Sequence, residues 1–222
     1  MKPSLIDLRK KAVISLEKKQ LIDIKASVVL VLDVSKSMFP LYKNGTIQQI
    51  IERVLALAIQ LDEHQQVDAY VFGTNAVQLE KITEADLQDY VEREIVAKHK
   101  INQATKYSKA IEQVQQNYFG KYNQPIFVIF ITDGDCSDKK ETQAWLRQVS
   151  RQPIFWQFVG IGKEEFVFLN KLDTLEKRGN DNAGVMLVSD IATIPDNVLY
   201  DRLLNEFPQW LEIVKTKGII KV

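Results

Sequence analysis

Two stretches of the chain are apolar almost without interruption: residues 27–34 read Ser-Val-Val-Leu-Val-Leu-Asp-Val and residues 125–132 read Pro-Ile-Phe-Val-Ile-Phe-Ile-Thr. Neither alternates polar with apolar positions, which is how a strand covered on both faces reads. Between them the period changes. Ile47, Ile50, Ile51, Val54, Leu55, Ala58, Ile59 and Leu61 recur at three and four, predicting a helix with Thr46 at its N-cap. Residues 67–72 and 76–82 flank Gly73, Thr74 and Asn75, so they form a hairpin, and the second member alternates as an edge strand does. Weaker helical periodicity covers 84–96, a polar loop follows around 98–103, and a second helix spans 105–119. Beyond residue 132 the pattern predicts a helix (141–149), a strand (154–161), a helix (165–175), a short strand (184–188) and a helical C-terminal region split by Pro208. The first segment, 4–20, is lysine-rich and modestly amphipathic, mostly helical or partly extended.

Strands alternating with helices define an α/β protein. The expected fold is a doubly wound, mostly parallel central sheet with one antiparallel edge strand and helices on both faces. Composition fits one domain with an appendage: 222 residues, 45% hydrophobic and 26% charged. Twenty-nine basic and 29 acidic side chains give no net charge, so no global field draws the protein to nucleic acid or anionic lipid. The one cysteine, Cys136, excludes an intramolecular disulfide framework and fits a reducing compartment. No stretch approaches the roughly 20 apolar residues of a membrane span, and the N-terminal residues lack a signal-peptide core. A cytoplasmic location is expected.

In doubly wound sheets the functional crevice lies beyond the carboxyl ends of the strands, where strand order reverses. Here those ends are rich in oxygen. The first buried strand runs into Asp33, Ser35 and Ser37, three side chains at alternate positions, and the second into Asp133. If the two strands are neighbours, two carboxylates and two hydroxyls share one crevice. Such a set, without histidine or thiolate, suits Mg2+, Mn2+ or Ca2+ rather than Zn2+ or Cu2+. The spacing of Asp33, Ser35 and Ser37 alone is weak evidence, since serine and aspartate gather in any loop, and its position after a buried strand is what gives it weight.

At these residues the sequence resembles the von Willebrand factor type A fold, whose metal-ion-dependent adhesion site combines an Asp-x-Ser-x-Ser loop, a later threonine and an aspartate after a strand. Asp33, Ser35 and Ser37 match the loop, Asp133 the final aspartate, and Thr105 is the best match for the threonine. More specifically, the chain is similar to the type A domains of the bacterial tellurite-resistance (Ter) group, through residues 31–33, 130–134, 153–162 and 199–208. The resemblance covers roughly 27–218, and it implies a lead-in segment, 1–26, before a type A-like domain, 27–222. Two positions depart from the family pattern: Lys36 stands where the loop usually has glycine, and Gln103 and Ala104 precede Thr105 where glycines are common.

Other motifs fail on inspection. Gly160 and Gly162 follow a strand, but the third glycine of a dinucleotide fingerprint would fall at Glu165; these glycines read as a turn. No phosphate-cradling Gly-x-x-x-x-Gly-Lys-Ser/Thr run occurs, and residues 133–144 lack the glycine and glutamate of a calcium loop. His64 and His99 have no reason to approach the serines, so no nucleophile–base pair is legible. The resemblance therefore implies a non-enzymatic, metal-dependent protein-binding module, with a partner's Asp or Glu carboxylate completing the ion's coordination, in a setting of tellurite or stress resistance. Lys36, Lys100 and Lys106 are expected to bias its rim toward an anionic ligand. The rival expectation is a metal-assisted hydrolase of phosphate or acyl substrates, with Asp135 or Asp138 as general base.

Overall fold

The structure, a computed structural model, describes residues 3–121 and 124–220. The outermost positions of the two expected segments, 1–2 and 221–222, lie outside the described residues. Six strands form one sheet: β1 (Ser27–Asp33), β2 (Val67–Phe72), β3 (Ala76–Gln78), β4 (Ile126–Thr132), β5 (Ile154–Ile161) and β6 (Ala183–Val188), in the order β3-β2-β1-β4-β5-β6. All pairs are parallel except β2 with β3. The strand order reverses between β1 and β4, so the switch point falls where the two oxygen-rich ends meet.

Successive residues of β1 face opposite sides. Val28, Leu30 and Leu32 join a core with α1 (Leu5–Lys18), α3 (Thr46–Leu61), α7 (Asp196–Leu203) and α8 (Phe207–Thr216). Val29 and Val31 join the opposite core, with α4 (Tyr107–Tyr118), α5 (Lys139–Val149) and α6 (Val167–Asp173). Burial on both faces is the physical reason that β1, β4 and β5 carry no polar alternation.

The N-terminal segment is a docked helix. Ser4 Oγ accepts the Asp7 backbone N–H as its cap, and Leu8, Ala12 and Leu16 are buried in the α3 and α7 side of the core. Elsewhere the elements differ from the sequence reading in detail. β3 is only three residues long, and the chain rejoins β2 at a single bridge between Ile82 and Val67. Residues 84–96 form turns and one π-helical turn, Val91–Val96. A short helix, α2 (Phe39–Lys43), follows the first strand-end loop, with Pro40 in its first turn. Gly45, at φ 81°, rather than Thr46, is the N-cap of α3, and Asn44 Oδ1 accepts the Thr46 N–H. Gly160 lies under Leu187 and Phe166, where a Cβ would come within 2.8 Å, and Gly162 turns the chain at φ 134°. Gly162 serves the turn expected of it, whereas Gly160 is a strand residue of β5, paired with Thr132 and Leu187, where close packing leaves no room for a side chain.

Candidate functional site

β1 delivers Asp33 to the sheet's carboxyl edge fully buried. Its Oδ1 accepts the Ser35 backbone N–H at 2.7 Å, closing a tight loop that turns the following hydroxyls back over the strand end. Its Oδ2 accepts the Thr132 hydroxyl at 2.7 Å across the β1–β4 seam, and its backbone carbonyl accepts the Tyr42 hydroxyl at 2.8 Å from α2. Ser37 Oγ donates to Asp133 Oδ1 at 2.8 Å. Since a hydroxyl has one proton, Ser35 is then the donor in its 3.2 Å contact with Ser37. Asp33, Ser35, Ser37 and Asp133 are thus joined by hydrogen bonds around one point.

The loop that carries Thr105 meets the same rim at Gln103. Gln103 bridges Ser35, the Gln103 N–H donates to Val34 O at 3.3 Å, and Thr105 O accepts both the backbone N–H (3.0 Å) and the hydroxyl (3.1 Å) of Ser137. Among the described residues no hydrogen bond joins the Thr105 hydroxyl to the other four side chains. Lys36 and Lys100 are exposed at this end of the molecule and Lys106 is half-buried, its N–H held by Gly73 O at 3.1 Å.

The electrostatics of the cluster are those of excess negative charge. Burial pushes the Asp33 carboxyl up to about 6, against the lowering effect of the Thr132 and Ser35 hydrogen bonds. Burial also raises Asp133, helped by the charge of Glu164. Among the described residues neither carboxylate has an ion pair. Two carboxylates facing hydroxyls, short of positive charge, fit a hard divalent cation. Asp33, with both oxygens already bonded, would act on such an ion through the charge it places beside the loop. The described residues contain no group of three His, Cys, Asp or Glu side chains placed to hold a metal, so an ion here would depend on the hydroxyls.

The candidate general bases are engaged elsewhere. Asp135 pairs with Lys139 Nζ at 2.6 Å. Asp138 is buried, with Oδ1 accepting the Tyr107 N–H at 3.1 Å and Oδ2 the Ser108 N–H at 2.9 Å. It therefore caps α4 from a segment thirty residues away. That cap explains why α4 starts at Tyr107 rather than at Thr105, and it fixes the loop carrying Thr105. Asp138→Ala should cost about 2–3 kcal/mol, the loss of two charge-assisted hydrogen bonds at a buried helix start. Urea denaturation measures this, and Asp138→Asn, which keeps one acceptor, should recover part of it. Cys136 is buried, its thiol pushed up to about 12 by burial and by Asp138, which disfavours the thiolate a nucleophile needs.

A doubly wound sheet whose switch point gathers Asp33, Ser35, Ser37 and Asp133 defines a von Willebrand factor type A domain. Residues 25–220 match the family described as vWA-TerF-like, the vWA found in the TerF C terminus, and the chain belongs to that family. It is 45% identical over 224 residues to the uncharacterized protein YcbR of Bacillus subtilis (strain 168), covering 97% of this chain and 90% of the relative. Among solved structures, proximal thread matrix protein 1 of the mussel byssus superposes with a TM-score of 0.61 at 17% identity, over 82% of this chain and 48% of that one. The manganese-loaded TRAP protein of Plasmodium vivax gives 0.57 at 15% identity, over 83% and 73%. These two likenesses concern the fold. Helix α1 precedes the matched span, and among the described residues no helix is long and apolar enough to cross a membrane.

Proposed function

We propose that the chain is a non-enzymatic protein-binding module whose contact runs through a divalent cation, Mg2+ in the first instance, at Ser35, Ser37, Asp133 and Thr105, with Asp33 supplying charge behind them. The observation that carries this reading is the hydrogen-bonded group of Asp33, Ser35, Ser37 and Asp133 at the β1/β4 switch point. Hydroxyl ligands are neutral, so an ion held by few direct carboxylates keeps most of its double charge and favours a partner's Asp or Glu over a neutral group. Membership of the TerF-like family supports a setting of tellurite or related stress resistance, and the TRAP protein, alike in fold, is manganese-loaded. Asp135 and Asp138, the bases a hydrolytic role would call on, are both engaged by other groups, which favours the binding reading.

Calorimetric titration of the metal-free chain with Mg2+ and Mn2+ tests the ion. One site is expected, and Asp133→Ala should abolish it. For the partner, capture from cell extract at fixed ionic strength should vanish in excess chelator and return with Mg2+. Attraction by Lys36, Lys100 and Lys106 alone would survive chelation and weaken smoothly with salt. Capture that persists unchanged in chelator rules out the ion-bridged contact.

A further inference from the structure

Beneath the strand-end cluster lies a side chain that the sequence marks only as a helix position. Tyr107, the first residue of α4, is fully buried in an aromatic box. Phe72, Phe130, Phe158 and Phe168 surround it, with ring centroids 5.7, 5.0, 6.4 and 6.3 Å away. Only its hydroxyl finds polar company. It faces Thr132 Oγ1 at 3.2 Å and makes a short contact with Gly134 O.

The protons in this group can be assigned. Thr132 has one, and the charged Asp33 Oδ2 at 2.7 Å takes it, in preference to Gly134 O at 3.3 Å. The Tyr107 proton is then shared between Gly134 O and the lone pairs that Thr132 has left. Burial holds the phenol well above its ordinary pKa, so it remains a donor. Tyr107 thus donates chiefly to Gly134 O, its shorter contact, and more weakly along a chain through Thr132 to Asp33. The same residue's backbone N–H is fixed by Asp138, two positions after Thr105. One tyrosine therefore ties together the three segments that supply the proposed ligands: the end of β1 through Thr132, the Asp133–Gly134 turn directly, and the Thr105 loop through its own backbone.

We propose that Tyr107 is a positioning residue for cation uptake, holding the Asp33 carboxylate and the Asp133–Gly134 turn in the geometry the ion requires; this rests on the function proposed above. Without the phenol oxygen, Gly134 O and Thr132 Oγ1 lose a buried donor. Thr132 is then free to turn its hydroxyl toward Gly134 and away from Asp33. Groups that orient metal ligands from behind typically contribute about 10–100-fold to affinity.

The test compares Mg2+ affinity by calorimetry with metal-free melting temperature in the full chain. Tyr107→Phe keeps the ring and should weaken Mg2+ binding about tenfold, while lowering the metal-free Tm by only about 2–4 °C, as one lost hydrogen bond does in a chain of this size. Phe168→Leu disturbs the same box without touching the hydroxyl. It should lower the Tm at least as much and leave affinity within about twofold, because the Tyr107 hydroxyl and its two acceptors stay in place. Thr132→Val cuts the chain one link nearer Asp33. Combined with Tyr107→Phe, it should weaken binding by less than the product of the two single effects, because both act on one path.

Wild-type affinity in Tyr107→Phe overturns the inference alone. So does an affinity loss in Phe168→Leu that matches its fall in Tm, since that would be general loosening of the core. A wild-type chain that takes up neither Mg2+ nor Mn2+ overturns the proposed function and this inference together.

Discussion

Without divalent ions at pH 8, Asp33→Asn is expected to melt several degrees higher than the wild-type chain, and with saturating Mg2+ the order should reverse. The first half follows from burial. The Asp33 carboxyl is raised from 3.8 to about 6 in the folded chain. A raised carboxyl contributes stability that is fully present below the unfolded value near 3.8 and is lost as pH rises through 6. The penalty at pH 8 is on the order of 2–3 kcal/mol for a group this buried. Asparagine removes the charge and keeps an acceptor for the Ser35 N–H, while Thr132 can turn its proton to Gly134 O, 3.3 Å away. The difference between the two chains should therefore shrink toward zero as pH falls from about 7 to 4. The second half follows from linkage: a ligand at 1,000 times its Kd adds about 4.1 kcal/mol to the state that binds it, more than the penalty. Wild type should gain this with Mg2+, and Asp33→Asn should not. Thermal melts over a pH series, with chelator and with Mg2+, measure both. A mutant that keeps the whole Mg2+ shift would remove Asp33 from the site, and equal melting at pH 8 would mean that its charge carries no penalty.

The strands were legible in the sequence for a reason that also limited the rest. β1, β4 and β5 are covered on both faces, so their burial is written as unbroken apolar runs, and neighbouring runs end in the residues that line the switch point. Asp33, Ser35, Ser37 and Asp133 could be found from position alone. What joins them could not. Thr132 reads as the last residue of a strand, Tyr42 as one apolar residue after a proline, and Tyr107 as a helical position. Each acts through a partner distant in sequence: Asp33 at 2.7 Å from Thr132, the Asp33 carbonyl at 2.8 Å from Tyr42. Helix boundaries failed in the same way. The start of α4 is set by Asp138, which supplies its cap from another loop, so the helix begins at Tyr107 and not at the expected 105. α2 is only five residues long, too short to show a helical period in the sequence, and Pro40 sits in its first turn, which proline suits. The segments that carried the family likeness supply much of the core. Phe155 and Phe207, from two of those segments, pack against each other and each against Phe127 and Trp210, with centroids 4.7–6.2 Å apart.

Arg53→Ala should destabilise the chain by about 3–5 kcal/mol, although Arg53 lies in a helix whose other buried positions are almost all apolar. Its guanidinium is buried with Asp196 of α7: the two side chains are 9% and 7% exposed, and Nε lies 2.9 Å from Oδ1. Nη1 donates to Ile191 O at 2.8 Å, and Lys11 of α1 reaches the other Asp196 oxygen at 2.7 Å. One carboxylate thus joins α1, α3 and α7. Removing Arg53 leaves Asp196 buried with only the half-exposed Lys11 to balance it, and Asp196→Asn strands the arginine in turn; either loss leaves charge in a low-dielectric site. The double replacement Arg53→Met with Asp196→Leu is the decisive comparison. Apolar pairs of similar volume replace buried ion pairs with little net cost, so the double variant should be markedly more stable than either single variant. Urea denaturation at pH 7 of the wild type, Arg53→Met, Asp196→Leu and the double variant gives all four stabilities. If the double variant is as unstable as the sum of the single ones, the helices depend on these contacts individually and not on the pairing of charges. Mg2+ uptake should be unchanged in the double variant, because the triad holds the α1, α3 and α7 side of the sheet and touches none of the strand-end oxygens.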